Sequence, residues 1–142
     1  MDTRPASYVV AVRDEAVLLA HWNEGGRTGW TLPGGGMEDY ESTEETAVRE
    51  FREETGYDVE LDGLLGVDTH YIAAADRLLA GAGPLRGLRV IYSGHVVGGE
   101  LTHEVDGSTD ESRWVPLEEV AGLDTVGLVD VAMTLLKARR PV

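Results

Sequence analysis

GGGMEDYESTEETAVREFREETGY, residues 34–57, is a glycine run, an acidic loop and then a helix with carboxylates along one side. Ser42 and, three residues on, Glu45 make a capping-box pattern, in which hydroxyl and carboxylate each take an orphan backbone N–H of a helix's first turn. Gly56 is placed to end that helix in a left-handed conformation. Between them, at ~100° per residue, Ala47, Val48, Phe51 and Thr55 fall within one arc that should pack on a sheet. Glu50, Glu53 and Glu54, spaced i, i+3, i+4, share the adjacent arc. Arg49 lies on the flank beside Glu53.

Crowded carboxylates are costly. Two of them ~5 Å apart repel by about 3 kcal/mol at an effective dielectric near 20. Arg49 can offset part of this. An oxygen-rich cluster of this kind suits a hard divalent cation, and Mg²⁺ is normally held by a few carboxylates plus substrate phosphates. Trp30-Thr31-Leu32 reads as a short strand delivering a turn at Gly34-Gly35-Gly36, where the backbone can approach closely.

Glycine at 35, glutamate at 41, then Arg49, Glu50, Phe51, Glu53, Glu54 and Gly56 reproduce the order and spacing of the Nudix hydrolase signature, which the stretch Gly35–Tyr57 therefore resembles. Tyr57 stands where that family usually has an aliphatic residue. The resemblance implies an α/β fold, an α/β/α sandwich around a mixed β-sheet. It also implies a metal site built from Glu50, Glu53, Glu54 and a backbone carbonyl carried onto Gly34, holding Mg²⁺ (or Mn²⁺). In the resembled family a carboxylate ahead of a Trp-x-Pro-Leu segment often completes the site or acts as base; Glu111, followed by Trp114-Val115-Pro116-Leu117, is the best match, with Asp110 second. Glu53, Glu54 and Glu111 are open candidates for the base, and Arg49 is expected to orient Glu41 or Glu53.

The 142 residues suit a single domain, 1–142. A chain this long buries about two thirds of its unfolded surface, enough for a core without staples. With no cysteine there is neither a disulfide framework nor thiolate catalysis. The opening MDTRPASYVV lacks the plan of a signal peptide, and no apolar run approaches the ~20 residues of a membrane span, so a cytoplasmic protein is expected. Twenty-six acids against 12 bases give a net charge of −14, which disfavours nucleic acid and anionic membranes as partners. An anionic substrate remains compatible if cations sit between it and the protein. The acids cluster at 38–62 and 100–119, which solubility alone does not explain.

Along the chain, Ser7–Val12 and Ala16–Trp22 read as a buried hairpin. Asn23–Gly29 reads as a loop broken at Gly25-Gly26. Val59–Ala73 is extended, with His70 and Tyr71 near its end. Ala74–Gly87, containing Leu78-Leu79, reads as a long loop suited to contact the variable part of a substrate. Leu88–Val97 is a strand, and Gly98–Ser112 a polar loop with Glu100, Glu104, Asp106, Asp110 and Glu111. Arg113–Val115 is a short strand, and Pro116 opens a short helix. Asp124 or Thr125 caps a last helix to about Arg139, with Pro141 beyond and an apolar stripe of Leu128, Val131, Ala132, Leu135 and Leu136. Glu41, Trp30, Tyr71 and Arg86 are weaker candidates for substrate contact, with Arg77 and Arg89 as further phosphate candidates; for Trp30 and Trp22, sheet packing is the plainer role.

The expected function is a Mg²⁺-dependent pyrophosphohydrolase acting on a small nucleotide, a nucleoside diphosphate linked to another moiety: a nucleoside triphosphate, dinucleoside polyphosphate or nucleotide sugar. The alternative is a catalytically silent nucleotide-sensing Nudix-like module. Such modules typically lose signature carboxylates, and this chain keeps them. A homodimer is compatible with the resemblance.

Overall fold

Strands β1 (Asp2–Arg13) and β2 (Ala16–Glu24) form the expected hairpin, each longer than its apolar run. Asp14 and Glu15 turn it with φ of 51° and 62°, the paired positive values that match the twist of a two-residue hairpin. Gly25 and Gly26 repeat the device, so a tight turn replaces the loop expected over Asn23–Gly29. Strand β3 (Arg27–Thr31) pairs straight back on β2. The glycines are themselves a strand, β4 (Gly34–Gly36), antiparallel to β1 with Gly34 opposite Tyr8 and Gly35 opposite Ser7.

Helix α1 (Thr43–Thr55) starts and stops where the sequence indicates. Ser42 and Glu45 complete the capping box, and Gly56 ends the helix at φ 82°. Beyond it come β5 (Tyr57–Ile72), a 3₁₀ turn at Ala74–Asp76, β6 (Leu85–Gly99), β7 (Thr109–Pro116), a 3₁₀ helix at Leu117–Gly122 and α2 (Gly127–Arg139). The coordinates are a computed structural model describing residues 1–77, 79–103 and 107–139; the expectations placed on Leu78, Glu104, Asp106 and Pro141 lie outside the described residues.

The seven strands make one sheet in the order β3-β2-β1-β6-β5, with β4 added on β1 and β7 on β2. β1 runs parallel to β6, and the remaining pairings of strands are antiparallel, so the sheet is mixed as expected. Alternation along the strands splits the core in two. Val9, Ala11 and Leu18 face α1 with Ala47, Phe51 and Tyr57, while Val10, Val17 and Leu19 face α2 with Leu128, Val129 and Ala132. One helix therefore covers each face, the sandwich implied by the sequence. Burying Phe51 completely contributes on the order of 2–3 kcal/mol to that packing.

Four expectations need correction. The buried arc of α1 is turned about the helix axis, away from Val48 and toward Thr46 and Glu54. Thr46, Ala47, Phe51 and Thr55 are fully buried, Val48 is 39% exposed, and the inward side takes in Glu54 at 5%. Asp110 and Glu111 belong to β7 rather than to a loop, because β2 offers them partners up to Trp22. The expected loop over Ala74–Gly87 closes at Leu85, where β6 begins opposite Ile72. Finally, α2 starts at Gly127 and not after a cap at Asp124 or Thr125. Those residues run alongside β3, with Trp30 N–H donating to Asp124 O at 2.8 Å and Val126 N–H to Trp30 O at 2.9 Å.

Candidate active site

Glu41 shows how the acidic loop is tied to the helix. A turn closed by Glu41 N–H donating to Glu38 O (3.2 Å) folds the loop back. The Glu41 carboxylate then accepts from Glu38 N–H (2.9 Å), the Thr46 hydroxyl (2.8 Å) and both Arg49 Nε (2.6 Å) and Nη2 (3.0 Å). The same guanidinium donates through Nη1 to Glu50 (3.0 Å) and Glu53 (3.2 Å) and through Nη2 to Gly36 O (3.1 Å); Glu38 lies 3.6 Å away. One arginine thus ties four carboxylates to the glycine strand.

Arg49's hydrogen bonds, helped by the Glu38 N–H and Thr46, pull the Glu41 carboxyl down to about 2 from its ordinary 4.5. Glu41 in turn raises Arg49 further above its already high value. Because Glu41's folded pKa is the depressed one, its stabilisation is fully present above about pH 4.5 and disappears as pH falls through about 2. A carboxyl-detected NMR titration should place its midpoint near 2; a midpoint near 4.5 would show the Arg49 fork to be absent in solution.

The other carboxylates meet the glycine strand directly. Glu54, 5% exposed, accepts Gly34 N–H at 3.1 Å, and its backbone carbonyl takes the Ser112 hydroxyl at 2.9 Å, fastening β7 to the end of α1. Glu50 lies flat against Gly35, where any Cβ would stand 2.7 Å from its carboxyl carbon. Only glycine allows that approach.

Glu50, Glu53, Glu54 and Gly34 all line one cleft of about 600 Å³. Its other walls come from Arg4, Ala6 and Tyr8 on β1, Trp22 and Glu24 on β2, His70 and Ile72 on β5, and Gly87 and Arg89 on β6, together with Arg27, Asp76 and Arg77. Burial pushes the Tyr8 phenol up, against the pull of Arg4 and Arg89; Glu54 and Glu50 also act on it.

Several residues singled out in the sequence lie elsewhere. Tyr71 and Arg86 pair with each other across β5 and β6, and alternation turns both away from the cleft that His70, Ile72, Leu85 and Gly87 line. Tyr71 is 63% exposed, and Arg86 donates to the Thr3 hydroxyl at 3.1 Å. Glu111 accepts from Arg113 at 2.8 Å, outside the cleft, and Arg113 lies over the Trp30 ring at 4.8 Å. Trp30 also meets His21 at 5.1 Å, and His21 holds Asp110 at 2.8 Å, which draws the Asp110 carboxyl down. These residues form a separate outer layer on β2, β3 and β7. Sequence reading passed over Arg4, Tyr8 and Arg27; the period of two along β1 would have grouped Arg4 and Tyr8 once Tyr8 was known to face Gly34.

The donors fit a hard cation: all are oxygens, and Glu50 and Glu54 abut a strand whose lack of side chains leaves its backbone accessible. Among the described residues, no three carboxylate or histidine side chains already converge on one point. Arg49 takes oxygens of both Glu50 and Glu53.

The family model for the NUDIX domain matches residues 2–133, so this chain belongs to the Nudix family. Among curated relatives, the Mycobacterium tuberculosis protein named "Putative mutator protein MutT4" is 32% identical over 126 residues, 85% of this chain and 48% of its own. The chain spans less than half the length of the curated relatives it matches. A NUDIX hydrolase from Nitrosomonas europaea superposes with a TM-score of 0.80 at 22% identity, covering 96% of this chain and 90% of that one. A MutT NUDIX hydrolase from Burkholderia pseudomallei superposes at 0.75 with 25% identity, covering 99% and 100%. None of the described helices is long and apolar enough to cross a membrane.

Proposed function

We propose that the chain is a metal-dependent pyrophosphohydrolase acting on a nucleoside diphosphate linked to another group. The observation that carries this reading is that Glu50, Glu53, Glu54 and Gly34 line one cleft, of a size that suits a nucleotide. Glu50, Glu53, Glu54 and the Gly34 carbonyl are the groups that would hold Mg²⁺ or Mn²⁺. A divalent cation there supplies phosphate neutralisation and a lowered pKa for an attacking water.

The chain's own residues supply the rest. Glu54, screened from solvent and fixed by Gly34 N–H, is placed to accept a proton from water inside the cleft. Arg49 does not line the cleft; it sets the rotamers of Glu50 and Glu53 and limits their mutual repulsion. The cleft's aromatic and apolar residues, Trp22, Ile72, Leu79 and Leu85, are available to the base or sugar. Glu111, held by Arg113 outside the cleft, has no part in this scheme.

A nucleotide panel incubated with Mg²⁺ and a coupled phosphatase tests the reading. Phosphate release that disappears in EDTA is the expected result. Thermal stabilisation by nucleotide without turnover would instead mark a sensing module, and neither response would overturn both.

A further inference from the structure

We propose that Arg4 and Arg89, with His70 as their wall, form an anion subsite in the cleft that takes a third phosphate, beyond the two joined by the scissile bond. This rests on the pyrophosphohydrolase reading and narrows it to substrates with three or more phosphates, above nucleotide sugars.

Strand register builds the subsite. Arg4 on β1 stands beside Gly87 on β6, which stands beside His70 on β5. In the next row on that face Ala6 stands beside Arg89, and Arg89 beside Asp68. The small residues create the hollow. At Gly87 a Cβ would be 2.1 Å from His70 Cε1, so the ring lies across β6 in the row of Arg4. Arg4, His70 and Arg89 line the same cleft as Glu50, Glu53 and Glu54, with Tyr8 also on its wall.

The charges then select the ligand. Arg89 is 14% exposed and held on Asp68 through Nε at 2.9 Å and through Nη2. Arg27, Arg49, Arg77 and Arg113 are likewise tied to carboxylates or carbonyls. Arg4 has no such partner among the described residues. Arg4 is exposed, and its guanidinium lies over Gly36, where a Cβ would stand 2.9 Å from Nη2. It therefore lies along the glycine strand, one residue beyond the glycine that meets Glu50. In a chain of net charge −14, a guanidinium on the cleft wall without a carboxylate partner among the described residues is a fork for an anion. A phosphate fills that fork bidentately. The neutral hydroxyls of a sugar in the same place leave the cation unpaired.

The test compares GTP, diadenosine tetraphosphate and ADP-ribose with wild type, Arg4→Gln and Arg4→Lys, each checked for folding by circular dichroism. Arg4→Gln is expected to lower the ratio of kcat/KM for GTP over ADP-ribose about tenfold or more, mainly through KM, with Arg4→Lys intermediate. Diadenosine tetraphosphate behaving like GTP assigns the site to any third phosphate; GTP alone responding assigns it to a terminal monoester. An unchanged ratio in folded Arg4→Gln overturns the subsite and leaves the hydrolase reading intact. Should wild type turn over none of these three, the ratio has no value and the hydrolase reading is left to the wider nucleotide panel. Calorimetry with inorganic tripolyphosphate on metal-free protein then decides the subsite: weaker binding to Arg4→Gln upholds it, and equal binding overturns it.

Discussion

Glu54→Gln should reduce Mg²⁺-dependent turnover by about 10³-fold or more while the protein stays folded. The two halves of that expectation come from different atoms. The fold uses Glu54 as a hydrogen-bond acceptor for Gly34 N–H and, through its backbone carbonyl, for the Ser112 hydroxyl. Glutamine keeps a side-chain oxygen for the first and leaves the second untouched, so stability should move by no more than about 1 kcal/mol. The chemistry needs the charge. An amide is a far weaker ligand for a hard cation and cannot take a proton from water, and general-base loss alone typically removes 10²–10⁴-fold. At 5% exposure, bulk water cannot substitute for the missing base within the cleft. The measurement is turnover of the best panel substrate beside a thermal melt. A melt unchanged with activity within tenfold of wild type would reject the placement of the metal and base here. Glu53→Gln is the informative contrast. Glu53 is 48% exposed and already shares Arg49, so its loss should raise the Mg²⁺ concentration needed more than it lowers the maximal rate.

The difference between those two glutamates was partly legible in the sequence. The i, i+3, i+4 spacing puts Glu50, Glu53 and Glu54 on one side, and capping box and glycine fix where the helix begins and ends. The direction in which that side faces was not legible. It depends on Thr46 burying in place of Val48, and that is decided by the β1–β4 pairing beneath α1. The same limit explains the cleft's basic wall. Arg86 and Arg89 look equivalent along the chain, yet a strand's period of two sends one to Thr3 on the outside and the other to the cleft. Parity follows only from register, and β5 carries three irregularities against β6 that no local pattern announces. Tyr71 was misplaced for the same reason. By contrast the deep burial of the β1–β2 hairpin was readable, because its continuous apolar run, Val9, Val10 and Ala11 included, is local.

Arg49→Met tests the claim that this arginine serves the protein's own carboxylates and not the substrate. Its side chain is 22% exposed, and it binds Glu41, 15% exposed, through two nitrogens. Exposed pairs contribute up to about 1 kcal/mol, and breaking fully buried ones costs 3–5, so a loss of about 2 kcal/mol is expected at neutral pH. For a domain of this size that is roughly 6 °C in Tm. Methionine retains much of the aliphatic packing, which leaves charge as the variable. Two dependences identify the cause. Glu41's depressed carboxyl contributes above about pH 4.5 and loses its contribution toward pH 2, so wild type and variant should converge in stability across that interval. Added Mg²⁺ should restore stability to the variant more than to wild type, because a divalent cation can take over the neutralisation of Glu50 and Glu53 that Arg49 provides. If Arg49 instead gripped substrate, the variant would melt like wild type, respond to Mg²⁺ equally, and fail through a raised KM alone.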